Sequence, residues 1–190
     1  MRGRALTVVV AAVALLVLGA SPALGKGRKP AKVWNGSYTG VNYHPPSVGL
    51  VTSWSGSVRF ELLNSNRKRR IYNYGGTGSV TYTFSGGNLC SYSGAQTLST
   101  SGDDAALTVY RNRSGWKYFL EIGTREETIT AQEQCPEQAV EELDFLPPYP
   151  LMTGRKDRSV PGGLGSISGD YNEADAYLTS WSLSGTPRGR

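Results

Sequence analysis

The residues with the clearest capacity for binding form a basic and aromatic segment in the first half of the chain. Its cations are Arg67, Lys68, Arg69 and Arg70, and Tyr72 and Tyr74 follow directly. Guanidinium groups pair with phosphate or carboxylate groups, and aromatic rings add cation–π contacts. A hairpin tip that carries both could bind an anionic polymer, a glycan or a membrane surface. The alternative is a charged hairpin that keeps an edge strand from pairing with other chains.

Candidates for catalysis are few. His44 is the only histidine, so any Ser-His-Asp or Cys-His site would have to be built on it. It precedes Pro45 at a predicted strand end, which favours a loop or edge histidine without a catalytic role. Glu126 and Glu127 cannot form a glycosidase pair, because neighbours on a strand point to opposite faces. We predict a protein that is not an enzyme, and a hydrolase that uses other carboxylates stays as an alternative.

The two cysteines predict a disulfide and argue against a metal. Cys90 and Cys135 are the only cysteines, and an even count in an exported chain indicates a disulfide. A bonded pair and one histidine do not supply the ligands that zinc needs. Oxygen ligands cluster in one predicted turn, which holds Asp170, Asn172, Glu173 and Asp175. Their spacing differs from that of an EF-hand and favours a solvated acidic turn. We therefore predict no metal and no cofactor.

The first 25 residues have the pattern of a secretory signal peptide. Arg2 and Arg4 precede an apolar run, and small residues end it before a cleavage point after Gly25 or, as the alternative, after Ala23. The run is shorter than the roughly 20 residues that a membrane span needs, so an integral membrane protein is not expected. We predict a secreted or extracytoplasmic protein, located in the periplasm, the cell wall or the extracellular space.

The charge of the chain is mixed. The net charge is +5, and removal of Arg2 and Arg4 with the leader leaves +3. Negative charge collects between Glu121 and Asp144, whereas positive charge collects in three separate segments. Such a two-signed surface suits solubility and lacks the continuous basic stripe of a nucleic-acid-binding protein, so nucleic acid is disfavoured as a partner.

Alternation of apolar and polar residues predicts an all-β protein. Val58 and Phe60 alternate with Arg59 and Glu61, and similar runs occur at 80–84, 107–110, 116–122 and 177–183. One-sided burial of this kind is typical of antiparallel sheets. Regular turn signals between the runs predict a meander of about eight strands, closed as a barrel or folded as a sandwich.

One segment departs from this alternation. Val140, Leu143 and Leu146 recur at intervals of three after Pro136, which predicts a short helix over 136–145. The expected organisation is a mobile basic tail at 26–33, one β domain at 34–185 with a long Pro- and Gly-rich loop at 147–165, and a mobile tail at 186–190.

The sequence identifies no family, but one short segment carries a resemblance. Trp34-Asn35-Gly36-Ser37-Tyr38-Thr39-Gly40 is similar to the Gly and Trp near the start of lipocalin-like barrels, with their order reversed. The resemblance implies a barrel that holds a small apolar ligand, which we keep as an alternative. The favoured hypothesis is a non-enzymatic binding protein that recognises an anionic or glycan envelope polymer, or a partner protein, through its surface.

Overall fold

The computed structural model describes residues 29–45, 47–123, 128–146, 148, 151–152, 158–160, 164–173 and 177–186. The predicted signal peptide lies outside these residues, as do Glu126, Glu127 and Asp175. Among the described residues no helix could cross a membrane, since none is long and apolar enough.

The described residues form eleven strands, two of which contain only two residues. In chain order the strands are β1 (Val33–Tyr43), β2 (Leu50–Asn66), β3 (Ile71–Gly86), β4 (Ser91–Asn112), β5 (Gly115–Ile122), β6 (Ile129–Gln134), β7 (Glu141–Phe145), β8 (Leu151–Met152), β9 (Arg158–Ser159), β10 (Ser166–Glu173) and β11 (Tyr177–Ser184). Strand pairings are antiparallel throughout this set, which confirms the predicted all-β antiparallel class.

The sheet is open and sandwich-like. Its strand order is β10-β11-β1-β2-β3-β4-β5-β8, while β6 pairs with the start of β4, β7 pairs with β6, and β9 pairs with β5. The two halves of the sheet meet across the core, because the hydroxyl of Tyr118 in β5 donates to the Ser168 carbonyl in β10 at 3.2 Å. The indole of Trp181 in β11 donates to the same hydroxyl at 3.2 Å. Of the two predicted arrangements, the sandwich is therefore the one observed.

Side chains fill the interior, as the alternation predicts. Val58 and Phe60 are buried, and Arg59 and Glu61 between and after them are exposed. The buried apolar residues form one cluster, whose largest fully enclosed members are Trp34, Tyr38, Tyr82, Tyr118 and Phe60. Most of the aromatic residues thus supply the core, where their large apolar area contributes most to stability.

The predicted helix over 136–145 is wrong. A turn follows Cys135, whose carbonyl accepts from the Gln138 amide at 3.3 Å, and residues 141–145 then form β7. Leu143 and Phe145 are half-buried and alternate with exposed Glu142 and Asp144, whereas Val140 and Leu146 are exposed. A helix this short has little stability of its own, and pairing with β6 instead gives residues 141–145 strand hydrogen bonds along one side.

The disulfide is present as predicted and joins two strand ends that are neighbours in the sheet but distant in sequence. Cys90 precedes β4 and Cys135 follows β6, with 45 residues of separation between them. Within the predicted basic tail, Ala31 is buried and the Lys32 carbonyl accepts from the Leu62 amide at 2.9 Å. In the predicted loop at 147–165, residues 151–152 and 158–159 are strands that pair with β5.

Candidate functional site

The turn between β2 and β3 presents the predicted cations to solvent. Arg67, Lys68, Arg69 and Arg70 are all exposed in a four-residue turn. The turn is closed by the Arg70 amide, which donates to the Arg67 carbonyl at 3.3 Å. The Asn66 side chain accepts from the Arg69 amide at 3.0 Å, in the way that Asn commonly stabilises a turn. The backbone is therefore fixed by local hydrogen bonds while the four charged side chains point outward.

Arg70 adopts a backbone conformation that few residues other than glycine adopt. Its φ is 55°, in the left-handed region. A side chain with a Cβ atom pays a steric cost there, and such residues gather at functional sites and tight turns. Glycine would fit this position with less strain, so the arginine at this turn is costly to the fold.

The turn between β4 and β5 adds further cations beside the first turn. The Arg111 amide donates to the Arg70 carbonyl at 3.1 Å, and Ile71 pairs with Tyr110 in the sheet. Segments 64–74 and 107–118 contain seven cations and no carboxylate. We call this set the basic end of the sheet: Arg67, Lys68, Arg69, Arg70, Arg111, Arg113 and Lys117.

The tyrosines predicted to accompany the cations lie inside the protein. Tyr72 is 7% exposed and Tyr74 is 2% exposed. The Tyr74 hydroxyl donates to the Ala31 carbonyl at 2.8 Å, and the Tyr72 ring lies 6.1 Å from the Trp116 ring. Both tyrosines lie at alternate positions of β3 whose side chains point into the core, whereas the turn residues face solvent. The structure therefore keeps the cationic part of the predicted site at the surface and places its aromatic part in the core.

Trp116 is the aromatic residue that reaches the basic end. It is half-buried at the start of β5, and the Arg111 guanidinium lies 6.0 Å from its ring centroid. This distance is typical of a cation–π contact. The alternation at 116–122 places Trp116 on the apolar face of its strand, and this pattern alone predicts a core residue. Its place next to a turn that carries Arg113 is the signal that could have identified it as part of the surface.

Acidic side chains collect at the other end of β4. The hairpin of β6 and β7 pairs with the first residues of β4, and it carries Glu133, Glu141, Glu142 and Asp144. The Glu133 carboxylate accepts from the Tyr92 hydroxyl at 2.5 Å, and this hydrogen bond raises the pKa of Tyr92. The Thr130 hydroxyl donates to Asp144 at 2.7 Å. Positive and negative charge are thus separated along the longest strand.

The His44 ring lies between the Thr52 hydroxyl and the Phe145 ring. Its Nε2 atom lies 3.0 Å from the Thr52 hydroxyl, and its ring centroid lies 6.3 Å from that of Phe145. Partial burial lowers the pKa of His44, so the neutral ring is favoured. A ring held between a threonine hydroxyl and an aromatic side chain fits the expected loop or edge histidine.

The one group of potential metal ligands in the described part of the chain consists of Cys90, Cys135 and Glu133. Both sulfur atoms belong to the disulfide, and a thiol must be free and deprotonated to bind a metal. This group therefore serves to fasten the β6–β7 hairpin to the start of β4.

No protein-family model, curated protein or solved structure matches the chain. What the protein can do is therefore argued from the geometry and charge of its own residues.

Proposed function

We propose that this protein is a non-enzymatic, exported binding protein that attaches to an anionic polymer through its basic end. The observation that carries the proposal is the juxtaposition of two adjacent hairpin ends, segments 64–74 and 107–118, with seven cations and no carboxylate among them. Five of these cations are arginines, whose planar fork can bind phosphate or carboxylate groups in a bidentate manner. The signal-peptide pattern and the disulfide support a location outside the cytoplasm.

The position of the cations in the sheet argues against the main alternative. Charged residues often protect an edge strand from pairing with other chains. Among the described residues, β3 pairs with β2 and β4 up to the turn, whereas β2 pairs with β1 only as far as Glu61, so residues 63–66 form a short edge beside the turn. Arg111 lies on β4, which pairs with both β3 and β5 at this end, so edge protection does not account for the basic end as a whole, and a role in binding accounts for it better.

The interior gives no support to the lipocalin-like alternative. The sheet is open within the described residues, and Trp34, Tyr38, Tyr82 and Tyr118 fill the space between its halves. A barrel that holds an apolar ligand needs an interior that side chains leave vacant. The binding surface that we propose needs no such space.

The test measures how polyanion binding depends on salt. The probe is a labelled single-stranded oligothymidylate, used only as a flexible phosphodiester chain, and the readout is fluorescence anisotropy. Each phosphate contact on a single strand contributes about 0.7 to the slope of log K against log salt. Seven contacts would give a slope of about −5, or roughly a thousandfold loss of affinity between 50 and 200 mM salt.

A matched pair of variants separates the basic end from overall charge. Arg67→Gln/Arg69→Gln and Ser85→Glu/Ser93→Glu each lower the net charge by the same amount, and the two serines are exposed in the half of the sheet away from the basic end. We expect the first variant to reduce the steepness of the slope by about 1.4 and the second to leave it unchanged. Equal effects of the two variants, or no binding at low salt, would contradict the proposal.

A further inference from the structure

The outward face of the sheet carries hydroxyl groups in straight rows across the strands. The pairing register places one serine from each of six neighbouring strands side by side, and this row contains Ser168, Ser182, Ser37, Ser57, Ser79 and Ser99. The next row contains Asp170, Ser180, Thr39, Ser55, Thr81 and Thr97. Neighbouring side chains bond to each other, as between Thr81 and Thr97 at 2.8 Å.

This face lacks the charges that normally keep a surface soluble. Of the twelve positions in the two rows, only Asp170 is charged. Soluble surfaces are commonly about 25–35% charged residues, with both signs mixed. Neither burial nor solubility explains a broad, uncharged and hydroxylated surface.

A shallow groove, largely open to solvent, lies along the second row at the β10 side of the sheet. Its volume is about 450 Å³, and strands β10, β11 and β1 line it. Asp170 and Asn172 lie two residues apart on β10 and therefore face the same side. Thr39 and Ser180 contribute hydroxyl groups 3.1 Å apart, and Leu178 adds apolar surface. The groove thus combines a carboxylate, an amide, hydroxyl groups and an apolar contact.

A second groove lies further along strands β1 and β11. Its volume is about 650 Å³, and Asn35, Arg59 and Ser184 are among the residues that line it. Arg59 is not a free cation there, since its guanidinium is 2.9 Å from the Glu61 carboxylate. Asn35 and Thr39 are four residues apart on β1, which separates the grooves by about 13 Å along the strand. Ser37 and Ser182 pair between them.

We propose that an uncharged glycan chain binds along β1 and β11, from the groove at Asn35 to the groove at Asp170. A sugar hydroxyl both donates and accepts hydrogen bonds, so carboxylate, amide and serine groups suit it equally. The apolar side of a sugar ring fits a groove that includes Leu178. The twelve positions of the two rows hold no cation, and Asp170 adds a negative charge at one end, which disfavours an anionic ligand. The cations that line the groove at Asn35 are Lys32 and Arg59, and Arg59 is paired with Glu61. This site lies on a different surface from the basic end and does not depend on it.

The test uses depletion of the full-length exported protein from solution by four uncharged polysaccharides: cellulose, chitin, mannan and cross-linked dextran. Binding is measured in roughly 1 M sodium chloride, where the screening length is about 3 Å and attachment through the basic end is suppressed. We expect retention on at least one of the four materials, and we expect Arg67→Gln/Arg69→Gln to be retained as well as the natural protein.

Variants then locate the site. Asp170→Ala/Asn172→Ala should weaken binding by about tenfold or more, because hydrogen bonds to a charged group are lost. Ser180→Gln, which fills the groove without a change of charge, should do the same. Thr97→Ala/Ser99→Ala, at the β4 end of the same rows, should bind like the natural protein.

Three results would overturn the proposal. The first is the absence of retention on all four materials, the second is full retention of Asp170→Ala/Asn172→Ala and of Ser180→Gln, and the third is a loss of retention in Arg67→Gln/Arg69→Gln. Thermal unfolding of each variant verifies that it is folded. Retention that disappears in Arg67→Gln/Arg69→Gln would assign the binding to the basic end and equally overturn a site on this face.

Discussion

Replacement of Arg70 by glycine should make the protein slightly more stable and a weaker binder of polyanions. The φ of Arg70 is 55°, which is unfavourable for a residue with a Cβ atom. Two backbone hydrogen bonds hold this residue, and neither involves its side chain. The Arg70 amide donates to the Arg67 carbonyl, and the Arg70 carbonyl accepts from the Arg111 amide. Glycine would keep both bonds, relieve the strain and remove one cation from a crowded turn.

The expected gain in stability follows from two opposed terms. The left-handed conformation costs about 1–2 kcal/mol for a residue with a side chain. Glycine recovers most of this, but its freer unfolded chain costs about 0.5–1 kcal/mol. The difference is a stabilisation of about 0.5 kcal/mol, which raises the melting temperature of a domain of this size by about 1–2 °C. The loss of one phosphate contact should reduce the steepness of the salt slope by about 0.7.

Glu137→Gly is the matched control. Among the described residues, Arg70 and Glu137 are the two residues other than glycine that have a positive φ, and the value for Glu137 is 63°. Glu137 is exposed in the turn before β7. We expect the same small gain in stability and no loss of polyanion binding. Differential scanning calorimetry and fluorescence anisotropy measure the two quantities on the same samples.

Two outcomes would refute this reasoning. If Arg70→Gly lowers the melting temperature while Glu137→Gly raises it, the Arg70 side chain stabilises the turn, and strain is not what governs this position. If Arg70→Gly binds the polyanion as tightly as the natural protein, Arg70 does not belong to the binding surface.

Three further predictions concern the rest of the fold. Reduction of the disulfide between Cys90 and Cys135 should lower the free energy of unfolding by about 4 kcal/mol for a loop of 45 residues, measured by urea denaturation with and without reductant. Gly56→Ala should cost about 1–3 kcal/mol, because the new methyl group would overlap the Tyr38 ring; an unchanged urea midpoint would show that the ring can move. Burial lowers the pKa of His44, so stability is full above the unfolded-state pKa of about 6.5 and falls as the pH drops through the folded-state pKa. Urea midpoints from about pH 8 to 5 should fall less for His44→Gln than for the natural protein, and equal falls would exclude this histidine as a cause.

Local pattern determined the strands and the direction in which their side chains point. Alternation in a strand depends only on neighbouring residues, so Val58 and Phe60 could be assigned to the core and Arg59 to the surface from the sequence. The same reasoning predicted the disulfide, because two cysteines in a chain with the pattern of a secretory signal peptide have one pairing available. It also found the exposed cations at 67–70, which a turn necessarily places at the surface.

Local pattern was misleading where two periods coexist. Residues 140–146 show an interval of three in Val140, Leu143 and Leu146 and an interval of two in Leu143 and Phe145. This segment forms a strand and not a helix because it pairs with β6, which lies beside it only in the folded chain. Tyr72 and Tyr74 were associated with the cations because they are close in sequence, although strand parity turns them into the core.

The sequence by itself determined the class of the protein, its strand faces, its disulfide and one cluster of cations, because each of these depends on neighbouring residues or on a single pairing choice. Only the tertiary structure decided that the sheet stays open, that Arg111 lies beside Arg70, and that serines from six strands form one row. These features depend on strand order and register. Register is fixed by contacts between residues that are distant in sequence, and a shift of one residue in any of these strands would turn the serine of that strand towards the core.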